Sequence, residues 1–326
     1  MEPTEPALKE VPTLTDRTTK AKRSRKSLGV RLKKDWRMNR LVYLMLIPVI
    51  AYFVIFHYIP MLGVQIAFKD YSLSKGIWGS AWATPFFKHF KTYFNSYYFG
   101  RLIKNTTLLS ALNILFGFPA PIILALLINE VRNTTFKRTV QTVTYLPHFI
   151  SVVIVCSLLR LFFASGGLIN DLFGTNIDFF NKEEWFRPLY ILSGIWQEIG
   201  WGSIVYLSAI TSIDESLYDA AEMDGANRFQ KLLHVTLPGI ATTISVMFIL
   251  RVGRMMTVGA DKVLLMYNES IYTTSDIIST FVYRKGLLDQ NYSYAAAVDL
   301  VNSVVNCVLL VGANKLSKKI SGSGLW

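Results

Sequence analysis

The sequence predicts an all-α membrane protein with six transmembrane helices and both termini in the cytoplasm. Three observations lead there. Of its 326 residues, 52% are hydrophobic and 13% aromatic, more than a soluble domain of this length carries. The run 41–68 holds no Asp, Glu, Lys or Arg, which exceeds the roughly 20 residues a helix needs to cross hydrocarbon. A basic stretch, KAKRSRKSLGVRLKKDWRMNR, leads directly into that run.

The formal charge is +12, and the first forty residues hold twelve Lys/Arg against five Asp/Glu. Lys/Arg clusters of this kind serve either nucleic acid or a membrane surface. Placement beside an apolar span favours cytoplasmic retention at anionic lipid and no nucleic-acid partner. The run at 41 is too long for the core of a cleavable leader, and no small-residue cleavage site follows it.

The first span is 41–68. The second, 105–129, and the third, 139–159, are each bounded by charges and free of Asp, Glu, Lys and Arg. The remaining three are interrupted: 190–213 contains Glu198, 235–259 contains Arg251 and Arg254, and 294–313 contains Asp299. Hydrocarbon cannot satisfy an irregular backbone, so these segments too are expected to be helices, with their charges turned to protein or water. Lys/Arg placement orients the set. The tail, the link with Arg132, Lys137 and Arg138, and the terminal Lys315, Lys318 and Lys319 share one side when six helices alternate.

This organisation divides the chain into a basic tail 1–40, a six-helix domain 41–316 with a polar loop at 214–238, and a tail 317–326. Two polar segments fall outside, 69–101 with dense aromatics and 271–291. In the second, TSDIISTFVYRKG has apolar spacing near 3.6 and a terminal Gly, which predicts a short amphipathic helix, either docked to a partner or packed on the bundle. Cys156 and Cys307 sit in apolar segments without CxxC spacing, so neither a disulfide nor a metal site is expected.

The loop LYDAAEMDGANRFQKLLHVTLPGI is polar although it joins two apolar spans. Ser216 is placed to cap a helix whose third position is Asp219, Ala220 and Ala221 keep that helix slim, and Gly225 can take the left-handed conformation that ends it. A second helix is expected over 226–234, with Pro238 in the first turn of the next span. Loop helices without function are common. This one, however, resembles the E-A-A-x3-G-x9-I-x-L-P signature of binding-protein-dependent importer permeases, with Asp219 for the Glu and Val235 for the Ile.

In that family the loop is a coupling helix that seats in a groove on a separate ATPase. Carried over by position, Asp219, Ala220, Ala221, Glu222, Asp224 and Gly225 form the seat, and Leu237 and Pro238 join it to the fifth span. The chain has no GxxxxGK[ST] loop and no Gly-Lys dipeptide, so it lacks a P-loop of its own. HExxH, GxSxG and dinucleotide glycine patterns are missing as well, which weakens an enzyme reading.

The likeness extends to YIPMLGVQIAFKDY, GFPAPIILALLINEVRN, KRTVQTVTYLPHFIS, GIWQEIGWGSIVYLSAI, ILRVGRMMTVGADKVLLMYN and the ending GLW, covering almost everything after Trp36. These phrases resemble LplB/YteP-type permeases of complex-carbohydrate importers. The resemblance implies a type I ABC importer in the bacterial cytoplasmic membrane. Its parts would be a second homologous permease, two ATP-binding cassette subunits holding ATP and Mg, and an extracellular solute-binding protein. The cargo would be an oligo- or polysaccharide, with pectin- and alginate-type uronic-acid saccharides among those served by the group. No cofactor is expected on this chain.

Arg251 lies about 20 Å up the fifth span from Pro238, and Arg254 one turn higher on nearly the same face. Either they line a water-filled path, where a guanidinium matches a carboxylate bidentately, or they pair with Glu198 or Asp299 inside the bundle. Arg160 sits where it can snorkel. Trp196, Trp201 and Tyr206 either stack on sugar rings or serve packing and interfacial belts. Asn113, Gln197, Asn302 and Asn306 offer hydrogen bonds to hydroxyls or between helices, and His148 after Pro147 marks a kink. The competing function is an ion-gradient-driven secondary transporter or channel using Glu198 and Asp299, a reading that leaves the loop idle.

Overall fold

The computed structural model describes residues 28–322 and 324. Most of the basic tail, 1–27, and the last two residues of the GLW ending lie outside them. The chain divides into two compact units, 1–62 and 63–326, each described by itself. Among the described residues the structure is helical, apart from one isolated bridge between Lys69 and Trp82.

In the first unit α1 (Leu28–Phe53) is kinked at Asn39, which separates its basic start from the apolar run. It continues through a π-helical turn, Val54–Tyr58, into Ile59–Met61. Proline lacks an N–H and its ring presses on the carbonyl four residues earlier, and the widened turn before Pro60 accommodates both. Met38–Phe68 is long and apolar enough to cross a membrane.

In the second unit α2 (Tyr98–Leu112) and α3 (Pro119–Glu130) are joined by another π-helical turn, Asn113–Gly117. Together they make the span Tyr98–Glu130. It begins before the expected Asn105, because Arg101 and Lys104 continue the helix and Arg101 finds an internal partner described below.

The expected helix 139–159 is broken. α4 (Thr134–Tyr145) passes into a 3-10 turn, Leu146–Phe149, and Ile150 and Ser151 are extended before α5 (Val152–Phe163). Pro147 cannot continue the backbone ladder, and the Ser151 hydroxyl caps the new helix by accepting from the Ile154 N–H. The apolar crossing segment is therefore Val152–Phe173.

α6 (Glu183–Thr211) has 29 residues, about 43 Å at 1.5 Å per residue. It is long enough for a crossing, but with its glycines, serines, Gln197 and Glu198 it is not among the helices that are both long and apolar enough to cross a membrane. Its buried Tyr206, Leu207 and Ile210 pack with Ala125, Ile128 and Ile240. At Gly200 α6 and α4 meet backbone to backbone, since a Cβ there would collide with the Thr144 carbonyl group. Small residues permit such close approach in membrane bundles.

Beyond α6 come α7 (Glu215–Met223) and α8 (Arg228–Lys231), then a π-helical turn, Leu232–Thr236, and Leu237–Gly239. After a 61° bend follows α9 (Ala241–Val252), and the bent pair makes a fifth candidate span beside four unbroken ones. Pro238 thus closes the lower arm and does not open the upper helix. The expected helix to residue 259 stops at Val252, where Gly253 begins a turn. Three side chains hold that turn. Ser110 donates to the Met255 carbonyl, Asn302 donates to the Met256 carbonyl at 3.2 Å, and Asn306 accepts from the Met256 N–H at 2.9 Å.

The chain closes with α10 (Ala260–Met266), α11 (Ile278–Tyr283) and α12 (Tyr292–Ser321). α11 is the expected amphipathic helix, and its Ile278 and Phe281 pack with Leu102, Tyr93 and Val298. Beneath it Asp276 is fully buried. Its carboxylate accepts from Arg284 at 2.8 Å, Arg101 at 3.2 Å and Thr280 at 2.9 Å. Burial is the largest single influence and works against the Arg284 charge, but the bonds to Asp276 and Tyr267 together with the Asp276 charge outweigh it and hold the guanidinium above its ordinary pKa. Asn105 adds bonds to the Thr273 and Asp276 carbonyls and accepts from Arg187. One carboxylate therefore ties α2 to the segment leading into α11.

Gly200→Ala should force α4 and α6 apart at a cost of about 1–3 kcal/mol or more. A lowered thermal midpoint of the solubilised protein checks this, and an unchanged midpoint would contradict the close approach.

Candidate functional site

Two places gather the residues that the sequence singles out. The first is the polar loop. The Asp214 carboxylate caps α7 by accepting from the Ser216 N–H at 2.9 Å, which holds its pKa below the usual carboxylate range. The cap is therefore Asp214, not Ser216, and the helix starts two residues earlier than a Ser216 cap requires. Gly225 has φ +79°. The Ala226 N–H donates to the Ala221 carbonyl and the Gly225 N–H to the Glu222 carbonyl, closing a Schellman motif that needs the left-handed residue.

Asn227 and Gln230 form a reciprocal capping box on α8. Lys231 donates to Glu222 at 2.6 Å, and this bond lowers the Glu222 pKa. The Tyr218 hydroxyl meets Thr236 at 2.9 Å. At the base a Cβ on Gly239 would stand 2.6 Å from Ile213 Cδ1, so the two ends of the loop are in close contact. Asp219, Ala220, Glu222, Asp224, Gly225 and Pro238 are exposed, and Ala221 and Leu237 half-buried. Met223, at 89% exposure, and Phe229, at 66%, add an apolar face that nothing among the described residues covers. The loop is a cross-braced knob whose outer surface is free.

The second place is a polar chamber. Adjoining cavities of about 220, 310 and 370 Å³ share Arg251 as a lining residue. Arg251 donates to Asn113 Oδ1 at 2.6 Å across from the π-helical turn of the second span. Gly117 keeps that contact open, because a Cβ there would lie 2.6 Å from the same oxygen. Among the described residues no acid pairs with Arg251 or Arg254 within 4.0 Å. Pairing with Glu198 or Asp299 is thus not what holds these charges. Glu198 instead meets His148 at 3.1 Å, and Asp299 is exposed on α12.

Several expectations need correction. Arg254 is not one helical turn above Arg251, since the helix ends between them; the turn held by Asn302 and Asn306 nonetheless brings it to the same chamber. Trp196 lies elsewhere, in an apolar groove between α5 and α6. Trp201 is covered on one face by the His148 ring, stacked at 4.5 Å and 3°. Asn302 supports the turn from behind. Gln197 lines the chamber and donates to the Ile150 carbonyl at 2.8 Å, satisfying the broken third span. Arg160 reaches the Leu265 carbonyl at 2.8 Å and does not snorkel freely.

Two features escaped the sequence reading. The Asp276 cluster joins residues up to 175 positions apart, and no local pattern announces it. Lys262 follows the turn after α9 and looks like an ordinary surface lysine, yet it is 8% exposed and lines the chamber.

The family model described as binding-protein-dependent transport system inner membrane component matches residues 117–311. Protein LplB of Bacillus subtilis (strain 168) is 45% identical over 303 residues, 91% of this chain and 95% of that protein. The polygalacturonan/rhamnogalacturonan transport system permease protein YteP of the same organism is 45% identical over 310 residues, 94% and 95% of the two chains. A chain of the bacterial alginate ABC transporter, crystallised with an alginate pentasaccharide-bound periplasmic protein, superposes with a TM-score of 0.83 at 45% identity, over 90% of this chain and 100% of that one. With several apolar helices besides, this chain belongs to the family of inner-membrane permease components of binding-protein-dependent ABC transport systems and is a multi-pass protein of the cytoplasmic membrane.

Proposed function

We propose that this chain is one of two permease subunits of an ATP-driven type I importer that moves an acid-bearing oligo- or polysaccharide into the cytoplasm. The cargo would come from an extracellular solute-binding protein. The observation that carries this reading is the chamber. Arg251, Arg254 and Lys262 face it with no acid in ion-pair contact among the described residues, while its one carboxylate, Glu198, is engaged by His148. A cation kept inside a membrane protein without a counter-ion is costly, so it marks a pathway for anions. The substrates named for YteP and for the alginate transporter are acid-bearing or acid-containing saccharides, which supports the same class.

The topology taken with this reading is six crossings, with α6 as the fourth and both tails cytoplasmic. The domain limits stay at 1–40, 41–316 and 317–326. The loop 214–238 then faces the cytosol as the seat for an ATP-binding cassette subunit, which holds ATP and Mg. Its Met223 and Phe229 suit an apolar groove, and its internal braces let it move as one body. A sister permease completes the path.

Gly225→Val places a β-branched residue at positive φ, a conformation costing about 1–2 kcal/mol. ATP-driven uptake in proteoliposomes should be lost while the subunits still co-purify. Uptake that survived removal of the ATPase but stopped when the proton gradient collapsed would replace the importer reading with a secondary transporter.

Arg251→Ala removes a charge-assisted bond worth about 1.5–3 kcal/mol. Apparent affinity for acidic saccharides should fall roughly ten- to hundredfold, with neutral ones affected less. Equal loss on both would make Arg251 structural.

A further inference from the structure

Lys262 stands apart from the other chamber cations. It lies on α10, beyond the spans, and its side chain turns inward against α6. Nζ donates to the Tyr190 carbonyl at 3.0 Å and sits 4.9 Å from the centroid of the Tyr190 ring. One turn beyond Tyr190 on α6 is Gly194, where a Cβ would touch Nζ at 3.4 Å, so the glycine leaves the ammonium uncovered on that side. An ammonium has three donors, and among the described residues this one has a single hydrogen-bond acceptor. No carboxylate pairs with it within 4.0 Å among the described residues. Glu198 lines the same cavity of about 370 Å³ but is bonded to His148.

A buried charge is normally paired or hydrogen-bonded to capacity. Here the remaining donors open onto a polar cavity that also holds Arg251 and Gln197. The two cations differ in kind. Arg251 is bonded to Asn113 and presents a planar fork, whereas Lys262 is a compact point charge fixed by a carbonyl and a ring.

We propose that Lys262 is a specificity-determining residue of the chamber, which binds a sugar carboxylate through Nζ and makes the path prefer a free uronic acid to its neutral ester. This inference rests on the acid-bearing cargo proposed above. Arg251 takes a second acidic unit or a ring hydroxyl, and Tyr190 holds the ammonium in place.

The test uses the assembled transporter in proteoliposomes with two probes, trigalacturonate and its methyl ester, on wild type, Lys262→Met and Lys262→Arg. Wild type should import the acid with an apparent KM about tenfold below that of the ester. Lys262→Met should raise the KM for the acid about tenfold while leaving the ester and both kcat values alone, and Lys262→Arg should restore the preference. An equal loss on both probes would assign Lys262 a structural role, and no change would remove it from the path; either result overturns the proposal. A second measurement needs no variant and no transport. Carbamoylation of Lys262 by cyanate in the wild-type complex, read by mass spectrometry, should be slowed by trigalacturonate and not by the ester, and absence of this protection overturns the proposal. If wild type imports neither probe, the acid-bearing cargo reading fails, while the cyanate result still decides the role of Lys262.

Discussion

Hydrocarbon offers no partner to a backbone N–H or C=O, and that constraint shapes this chain more than any single contact. Wherever a helix widens, breaks or stops, protein or water must cover the exposed groups. Three such places converge. The π-helical turn Asn113–Gly117 contributes chamber wall, the break after Phe149 is satisfied by Gln197, and the turn after Val252 is held by Ser110, Asn302 and Asn306. The irregular backbone and the polar cavity occupy one region because neither is tolerable against lipid. Prolines at 119, 121 and 147 place two of these irregularities, and Gly253 begins the third.

That logic also explains what could be read in advance. Long charge-free runs made the helix at 41–68 and the second span plain, and the sequence located the knob to within two residues at its cap. Asp214 displaced Ser216 there because both flank the same turn and only the resulting geometry chooses between them. In the third span a kink at Pro147 was legible, but not that it becomes a full break, because composition alone reads the apolar run around it as continuous. The fifth was overextended for the same reason. Arg251 was legible as a charge without a lipid-facing option, whereas Lys262 lies just beyond the apolar stretch and gives no sign that it folds back.

The polar residues divide the labour in a way that spacing does not reveal. Asn302 and Asn306 are one turn apart and both serve the turn 253–257, Asn302 through its Nδ2 and Asn306 through both amide atoms. Asn113, by contrast, is bonded to Arg251 on the chamber wall. Aromatic residues divide similarly, with Trp201 paired to His148 and Trp196 sunk in an apolar groove. A residue type suited to a ligand is thus no guide until its other obligations are known.

The 61° bend at Ile240 has a mechanical consequence. Ile240 is fully buried against the core shared by α3 and α6, and the stub below it is bonded and packed as one piece with the knob. The element is a bell crank with its pivot in the protein interior. Its two arms, Arg228–Gly239 and Ala241–Val252, are equally long, so a rigid tilt about the bend would carry Arg251, near the far end of the upper arm, about as far as the lower end is pushed.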